Sequence, residues 1–385
     1  MKQFEFIEDA WLLVENGLVK AFGPMANPPE GSYKKVELNG ATVMPSWCDS
    51  HTHIVYATSR EREFVMRIEG KSYEQIAEEG GGILNSALRL RDTDEDDLFF
   101  SASKRVEEVM RFGTCALEVK SGYGLSYESE LKMLRVIRRL KEKFPITIKS
   151  TFLGAHAIPP EYKQNREEYV KLVTDRMIPE IADEGLADYV DVFCDRGFFT
   201  PAETATIIEA GQKRGLKAKI HANELDYSGG VQVGVEHGAI SVDHLECVGE
   251  DEIRSLLSGK TMPTLLPSTA FFLNLEYAPA RKLIDSGLPV SIATDYNPGS
   301  TPSGNMPFVI SLSCIKMRML PEEAMNAATI NAAHAMELQS SHGSLAPGKE
   351  ANFNVMEKDR TPALLAYSFG SSHVREMWLQ GERII

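Results

Sequence analysis

The chain has 385 residues, 43% hydrophobic and 25% charged, an ordinary globular composition with enough apolar material for a large core. Its net charge of −14 comes without a sustained basic stretch, which argues against nucleic acid or an anionic membrane surface as partner. The five cysteines (Cys48, Cys115, Cys194, Cys247, Cys314) form no CxxC pair, so neither a disulfide framework nor a thiolate zinc site is indicated.

Residues 1–40 carry strand and turn signals around Glu15-Asn16-Gly17 and Glu37-Leu38-Asn39-Gly40. The first five residues lack the apolar core of a signal peptide, and no uncharged apolar run approaches the roughly 18 residues of a membrane span. A soluble, cytoplasmic protein with reduced thiols is therefore expected. Short β-branched runs then alternate with helical patterns, as in a parallel α/β sheet. Eight strands are predicted at Ala41–Met44, Thr114–Val119, Thr147–Leu153, Tyr189–Phe193, Lys217–Ile220, Ala239–Val242, Met262–Leu266 and Val290–Ala293. Helices are predicted over Glu95–Phe112, Glu128–Phe144, Arg166–Glu184, Pro201–Arg214 and Glu250–Leu257. A long polar loop from Val55 to about Ser72 delays the first helix, and loops of that length are usually functional or disordered. Residues 343–385 return to turn and strand signals, from Gly343-Ser344-Leu345 to Gln380-Gly381-Glu382. The expected architecture is a (β/α)8 TIM barrel over 43–342, with a small β-sandwich-like domain built from 1–42 and 343–385.

The chemistry clusters at the ends of the predicted strands. Asp49-Ser50-His51-Thr52-His53 follows the first, and side chains two apart on an extended chain point the same way. His156, His221 and His244 follow the third, fifth and sixth strands, and Asp295 follows the eighth. Active sites of TIM barrels lie at this face. A lone histidine is more often a structural residue than a ligand, but five histidines and an aspartate at one kind of position resist that reading. His237, His334, His342 and His373 fall elsewhere and read as surface or packing residues. A nitrogen and oxygen donor set without cysteine suits Zn²⁺ first and Fe²⁺ second, either of which acidifies bound water towards a pKa of about 7. Glu224, three residues after His221, is placed as general base or proton relay, against the bland reading of an exposed carboxylate. Asp295 is placed both on the metal and as a proton donor to a leaving nitrogen.

Substrate contacts are expected from Arg60, whose guanidinium suits a carboxylate, against the alternative of a solvated cluster with Glu61, Arg62 and Glu63. Ser121-Gly122-Tyr123-Gly124 and Asn297-Pro298-Gly299-Ser300 offer close backbone approach and polar donors, with plain turns as the competing reading. Gly80-Gly81-Gly82 lacks the Gly-Lys-Ser/Thr of a phosphate loop.

The His-x-His pair, the histidines after strands five and six and the aspartate after strand eight together resemble the amidohydrolase superfamily. Longer strings are similar to its imidazolonepropionase family: Ser59-Arg60-Glu61, Gly80-Gly81-Gly82-Ile83, Glu118-Val119-Lys120-Ser121-Gly122-Tyr123-Gly124-Leu125, Phe152-Leu153-Gly154-Ala155-His156-Ala157, Asp191-Val192-Phe193-Cys194 and Asp295-Tyr296-Asn297-Pro298-Gly299-Ser300. The resemblance implies one divalent metal on His51, His53, His221 and Asp295. It implies hydrolysis of the ring amide of 4-imidazolone-5-propanoate to N-formimidoyl-L-glutamate, in histidine degradation. Arg60 would hold the propanoate, while Tyr123, His156 and Glu224 would meet the ring or product. Asn297, Gly299 and Ser300 would line the far side, and His244 would polarise the scissile carbonyl or orient water. A cytoplasmic homodimer acting on a small molecule is implied in the same way. Strand four ends in Phe193-Cys194-Asp195, without the lysine that bridges two metals in relatives. The rivals are another amidohydrolase, such as a cyclic amidase or nucleobase-type deaminase, and a metal-free descendant without activity.

Overall fold

The computed structural model describes residues 1, 5–71, 75–76 and 79–385. At the N-terminus β1 (Ala10–Glu15) and β2 (Leu18–Pro24) form an antiparallel hairpin. Its two-residue loop is Asn16-Gly17, both at positive φ (52° and 79°), the backbone twist that tight hairpins require. A similar Asn39-Gly40 turn leads into β3 (Ala41–Pro45).

Eight strands follow: β4 (Trp47–Asp49), β5 (Thr114–Lys120), β6 (Thr147–Ala155), β7 (Tyr189–Cys194), β8 (Lys217–Ala222), β9 (Ser241–His244), β10 (Met262–Leu265) and β11 (Ser291–Ile292). They pair in parallel in sequence order, with helices between them, as expected of a TIM barrel. The two end strands are joined just beyond their last residues. There the Asp295 N–H donates to the His51 carbonyl (3.0 Å), the His53 N–H donates to the Tyr296 carbonyl (2.8 Å), and the Thr294 N–H donates to Asp49 Oδ1 (3.0 Å).

The C-terminal strands β12 (Phe353–Lys358), β13 (Val374–Leu379) and β14 (Glu382–Arg383) complete a four-stranded antiparallel sheet in the order β14-β13-β12-β3. The run predicted as the first barrel strand, Ala41–Met44, therefore belongs to a sheet shared by both ends of the chain. The barrel begins instead at Trp47–Asp49, three buried residues: the Ser46 N–H still donates to the Asn352 carbonyl of the terminal sheet, while the Trp47 N–H donates to the Gly113 carbonyl beside the barrel. Val19, Ala351, Phe353 and Val355 form the apolar centre under the terminal sheets.

Helices Glu95–Arg111, Tyr127–Lys143, Pro201–Gln212 and Glu250–Ser258 lie where periodicity predicts them. The stretch predicted as one helix over Arg166–Glu184 has three pieces, Arg166–Leu172, a π-helical Val173–Met177, and Ile178–Asp183. Pro179 has no N–H to give the α ladder, and the wider π turn lies just before it. The loop from Val55 is not structureless: Glu61–Ile68 is a helix that buries Glu63 and Met66, with acidic residues in its first turn and Arg67 in its last. Ser72, where that loop was expected to end, lies outside the described residues. All five cysteines are free thiols, and among the described residues no helix is long and apolar enough to cross a membrane.

Candidate active site

The barrel brings the strand-end residues together from distant parts of the chain. His51 and His53 lie on the extended backbone after β4, His221 lies within β8, and all three are buried. Their Nε2 atoms converge, with His53 3.3 Å from His51 and 3.4 Å from His221. Asp295 Oδ1 lies 3.6 Å from His51 Nε2 and 3.5 Å from His53 Nε2. Four donors bonded to one ion at 2.0–2.1 Å in a tetrahedron would stand about 3.4 Å apart. These side chains therefore fit a divalent cation in both spacing and donor chemistry, and His51, His53 and His221 form a group able to hold one.

The outer nitrogens show how the imidazoles are set. His51 Nδ1 donates to Asp243 Oδ2 (2.6 Å) and His221 Nδ1 donates to Asp191 Oδ1 (3.1 Å). With the proton held at Nδ1, the Nε2 lone pair is left free to ligate. Burial, with the Lys120 ammonium next, holds the His51 imidazole well below its usual pKa; burial and His156 do the same for His53. Neutral rings are the form a cation binds.

Beneath this cluster the barrel interior is charged. Lys120 Nζ, wholly buried, donates to Glu118 (2.6 Å) and Asp191 (2.8 Å), and Lys219 Nζ donates to Glu118 (2.5 Å) and the Ser50 carbonyl (2.9 Å). Asp243 lies 3.7 Å and 3.8 Å from the two ammoniums. Burial opposes ionising Asp191, but His221 and Lys120 outweigh it and hold the carboxyl below its ordinary range. Asp191 is thus held charged by His221 and Lys120, whereas at Asp243 burial outweighs Lys219 and Lys120 and raises the carboxyl. Burying such charges is costly unless they are paired and hydrogen-bonded, as the two lysines are to Glu118, Asp191 and the Ser50 carbonyl.

Around the cluster, Glu224 Oε2 stands 3.6 Å from His244 Nδ1. Burial, then Asp295 and Asp195, push the Glu224 carboxyl up to about 8. Burial raises Asp295 to about 6, although Thr269 Oγ1 (2.7 Å) and Ser300 Oγ (3.2 Å) donate to its Oδ2. Asp295 (φ 54°) and His244 (φ 86°) hold left-handed backbone that non-glycine residues rarely adopt, strain of a kind concentrated at functional sites. His156 stacks on His53 with ring centres 5.4 Å apart, and its Nδ1 donates to the Gly122 carbonyl (3.0 Å). Burial, then His221, lowers its pKa to about 3. Tyr123 meets both rings edge-on, and burial raises its phenol.

Arg60 stands immediately before the Glu61–Ile68 helix and donates to Glu63 through Nε (2.9 Å) and Nη2 (2.5 Å). It is thus not part of a loose solvated cluster, since Glu63 is buried and also accepts the Gly82 N–H (3.0 Å). Gly299 packs against the guanidinium, and a Cβ there would come within 2.4 Å of Arg60 Nη1. Asn297 is committed to its own turn: its Oδ1 accepts the Gly299 and Ser300 N–H groups, and its Nδ2 donates to the Asp295 carbonyl (2.7 Å) and Ser300 Oγ (2.7 Å).

Every residue singled out for chemistry thus reaches this one mouth of the barrel. Sequence reasoning missed Asp191, Asp243 and the paired lysines, for which charged residues inside otherwise apolar strands were the available signal, and Glu63, which lies on a helix and gave no such signal. It also missed Glu130, whose buried carboxylate accepts the N–H groups of Gly122, Gly124 and Leu125 (2.8–3.0 Å) and shapes the Tyr123 loop.

Comparison with known proteins agrees with this geometry. Residues 42–384 match the family model described as the amidohydrolase family. Imidazolonepropionase of Christiangramia forsetii is 51% identical over 385 residues, covering 100% of this chain and 94% of that protein. That of Flavobacterium psychrophilum is 52% identical, covering 98% and 92%, and that of Geobacillus thermodenitrificans is 43% identical, covering 100% and 92%. Among solved structures, 5-methylcytosine deaminase from Klebsiella pneumoniae superposes with a TM-score of 0.77 over 97% of this chain and 93% of that one, at 16% identity. E. coli guanine deaminase gives 0.75, covering 99% and 93%, also at 16%. These two speak to the fold alone. The full-length similarity to several imidazolonepropionases, with the match to the family model, shows that this chain belongs to the imidazolonepropionases of the amidohydrolase family.

Proposed function

We propose that this protein hydrolyses the ring amide of 4-imidazolone-5-propanoate to N-formimidoyl-L-glutamate, with one divalent metal ion held by His51, His53, His221 and Asp295. The observation that carries the reading is the convergence of three Nε2 atoms and one carboxylate oxygen within 3.3–3.6 Å at the barrel mouth, beside a partly buried arginine. Zinc is the expected ion, with iron second, since the donors are three imidazoles and a carboxylate. When bound, such an ion supplies Lewis acidity and brings water ionisation towards neutral pH.

The protein's own groups divide the remaining work. Arg60, held in place by Glu63, receives the propanoate carboxylate, with Gly299 leaving room for the guanidinium. Tyr123 and His156 face the ring, and His156 offers its free Nε2 as acceptor. Glu224, with a carboxyl near 8, suits proton transfer near neutrality: it takes a proton from the attacking water and returns one to the leaving nitrogen. Asp295, near 6, is the second group able to pass that proton. His244 orients water or polarises the carbonyl, while Asn297 and Ser300 fix the turn behind Asp295 and line the far side.

The division into a barrel over 43–342 and a small domain from 1–42 and 343–385 belongs to the same proposal, with strand β3 crossing its first boundary. A cytoplasmic homodimer is the corresponding expectation for assembly and location. The test follows the ultraviolet absorbance of fresh 4-imidazolone-5-propanoate with metal-replete protein. Loss of the chromophore well above the spontaneous rate, abolished by Arg60→Ala, is expected. Loss at the spontaneous rate alone would turn the assignment towards other cyclic amides or deaminations.

A further inference from the structure

Glu246, two residues past His244, has no part in the chemistry described so far. Its side chain is only 5% exposed, and its Oε2 is buried without a hydrogen-bond partner. That oxygen lies 3.8 Å from His244 Nδ1, which is buried and unpartnered as well. Glu224 approaches the same nitrogen at 3.6 Å. Two largely buried glutamates therefore flank one imidazole nitrogen, and this imidazole lies 5.3 Å, ring to ring, from His221 of the metal-competent cluster. Burial, then Glu224 itself, push the Glu246 carboxyl well above its ordinary range. With no cation beside it the charged form is disfavoured, and a ligand that brought one would both satisfy the dry oxygen and restore the carboxylate. A ligand that does so must bring N–H donors, and positive charge fits best against two carboxylates.

The reaction assigned above makes such a group. The oxygen of water adds to the ring carbonyl carbon, the bond from that carbon to the ring nitrogen breaks, and the nitrogen takes up a proton. The carbonyl becomes a carboxylic acid, and the freed N–CH–N unit is an amidine. The acid proton passes to the amidine, a strong base, giving a carboxylate and an amidinium with several N–H donors. We propose that Glu246, together with Glu224, binds the amidinium end of the opened product, making Glu246 a specificity-determining residue for ligands that carry an N–CH–N unit. The inference rests on the imidazolone assignment but concerns a separate residue.

The experiment compares two ligands of one shape on the metal-loaded enzyme: N-formimidoyl-L-glutamate, which is cationic at its amidine, and N-formyl-L-glutamate, which is a neutral amide there. Competition against imidazolone turnover gives an inhibition constant for each. A charge-assisted pair is expected to favour the formimidoyl compound by about tenfold or more in the wild type. Glu246→Gln should bring the two constants close to parity, leaving formyl affinity and metal content near wild type, and Glu246→Asp should recover part of the preference. Equal affinities in the wild type would overturn the proposal without any variant. So would a Gln variant that keeps the wild-type ratio, or one that loses both ligands equally. Absence of imidazolone turnover in the wild type would instead bring down the functional assignment on which it rests.

Discussion

The main-chain N–H of Asp295 donates to the carbonyl oxygen of His51 across 3.0 Å, although the two residues stand at opposite ends of the barrel sequence. Their side chains meet as well, with Asp295 Oδ1 3.6 Å from His51 Nε2. The seam that closes the barrel and the proposed metal site are thus built from the same residues. An ion bound there clamps the first and last strands together, so metal should stabilise the fold as a whole. A cation at a hundredfold its Kd adds about 2.7 kcal/mol. Calorimetry should show the melting temperature falling when a strong chelator strips the protein and recovering with added zinc. Identical melting in both states would separate the seam from the site.

Asp191→Asn should weaken metal binding by roughly 10–100-fold, because the amide no longer holds the His221 Nδ1 proton as a carboxylate does. Asp243→Asn should act likewise through His51. Competition with a chromophoric chelator reads the affinity directly, without reference to turnover. Wild-type affinity in both variants would show that the buried carboxylates serve the fold alone.

At Gly299 a methyl group would meet Arg60 Nη1 at 2.4 Å, while its own backbone needs no glycine. Gly299→Ala should therefore displace the guanidinium and raise KM for the imidazolone by about tenfold, a loss of about 1.4 kcal/mol. The effect on kcat should be smaller, and thermal stability should stay near wild type. An unchanged KM would remove Arg60 from carboxylate binding.

Glu224 ties the metal-free protein to pH. Its folded carboxyl titrates near 8, against an ordinary 4.5, because burial and then Asp295 and Asp195 disfavour the charged form. A raised carboxyl contributes stability in full below about 4.5, and that contribution is lost as pH rises through about 8. Glu224→Gln removes the titration. Metal-free Glu224→Gln should thus gain in melting temperature over metal-free wild type between pH 5 and 9, where a constant difference would contradict the shift.

Much of the site is legible in the sequence because most of the metal-competent residues stand at or just past the ends of predicted strands, and barrel strands deliver their ends to one face. The first strand was misplaced because Ala41–Met44 has the stronger strand pattern, whereas Trp47–Asp49 is three residues long and recognisable only through its pairing with β5. Glu118, Lys120, Asp191, Lys219 and Asp243 were quoted within motifs or strands yet given no role. Periodicity marks such strands as apolar, and only their assembly shows that the charges neutralise one another around the histidines. Glu63 enters the sequence reading only through the alternative of a solvated cluster, since nothing local reveals that the helix turns it inward onto Arg60. Glu246 escaped for the same reason: an unpartnered oxygen becomes visible only once its surroundings are in place.

The most direct test of a single-metal hydrolase is the rate of 4-imidazolone-5-propanoate ring opening as zinc is titrated into stripped protein. The rate should rise from near background in proportion to bound zinc and level off at one ion per chain. A plateau at two ions, or full turnover by the stripped protein, would contradict it.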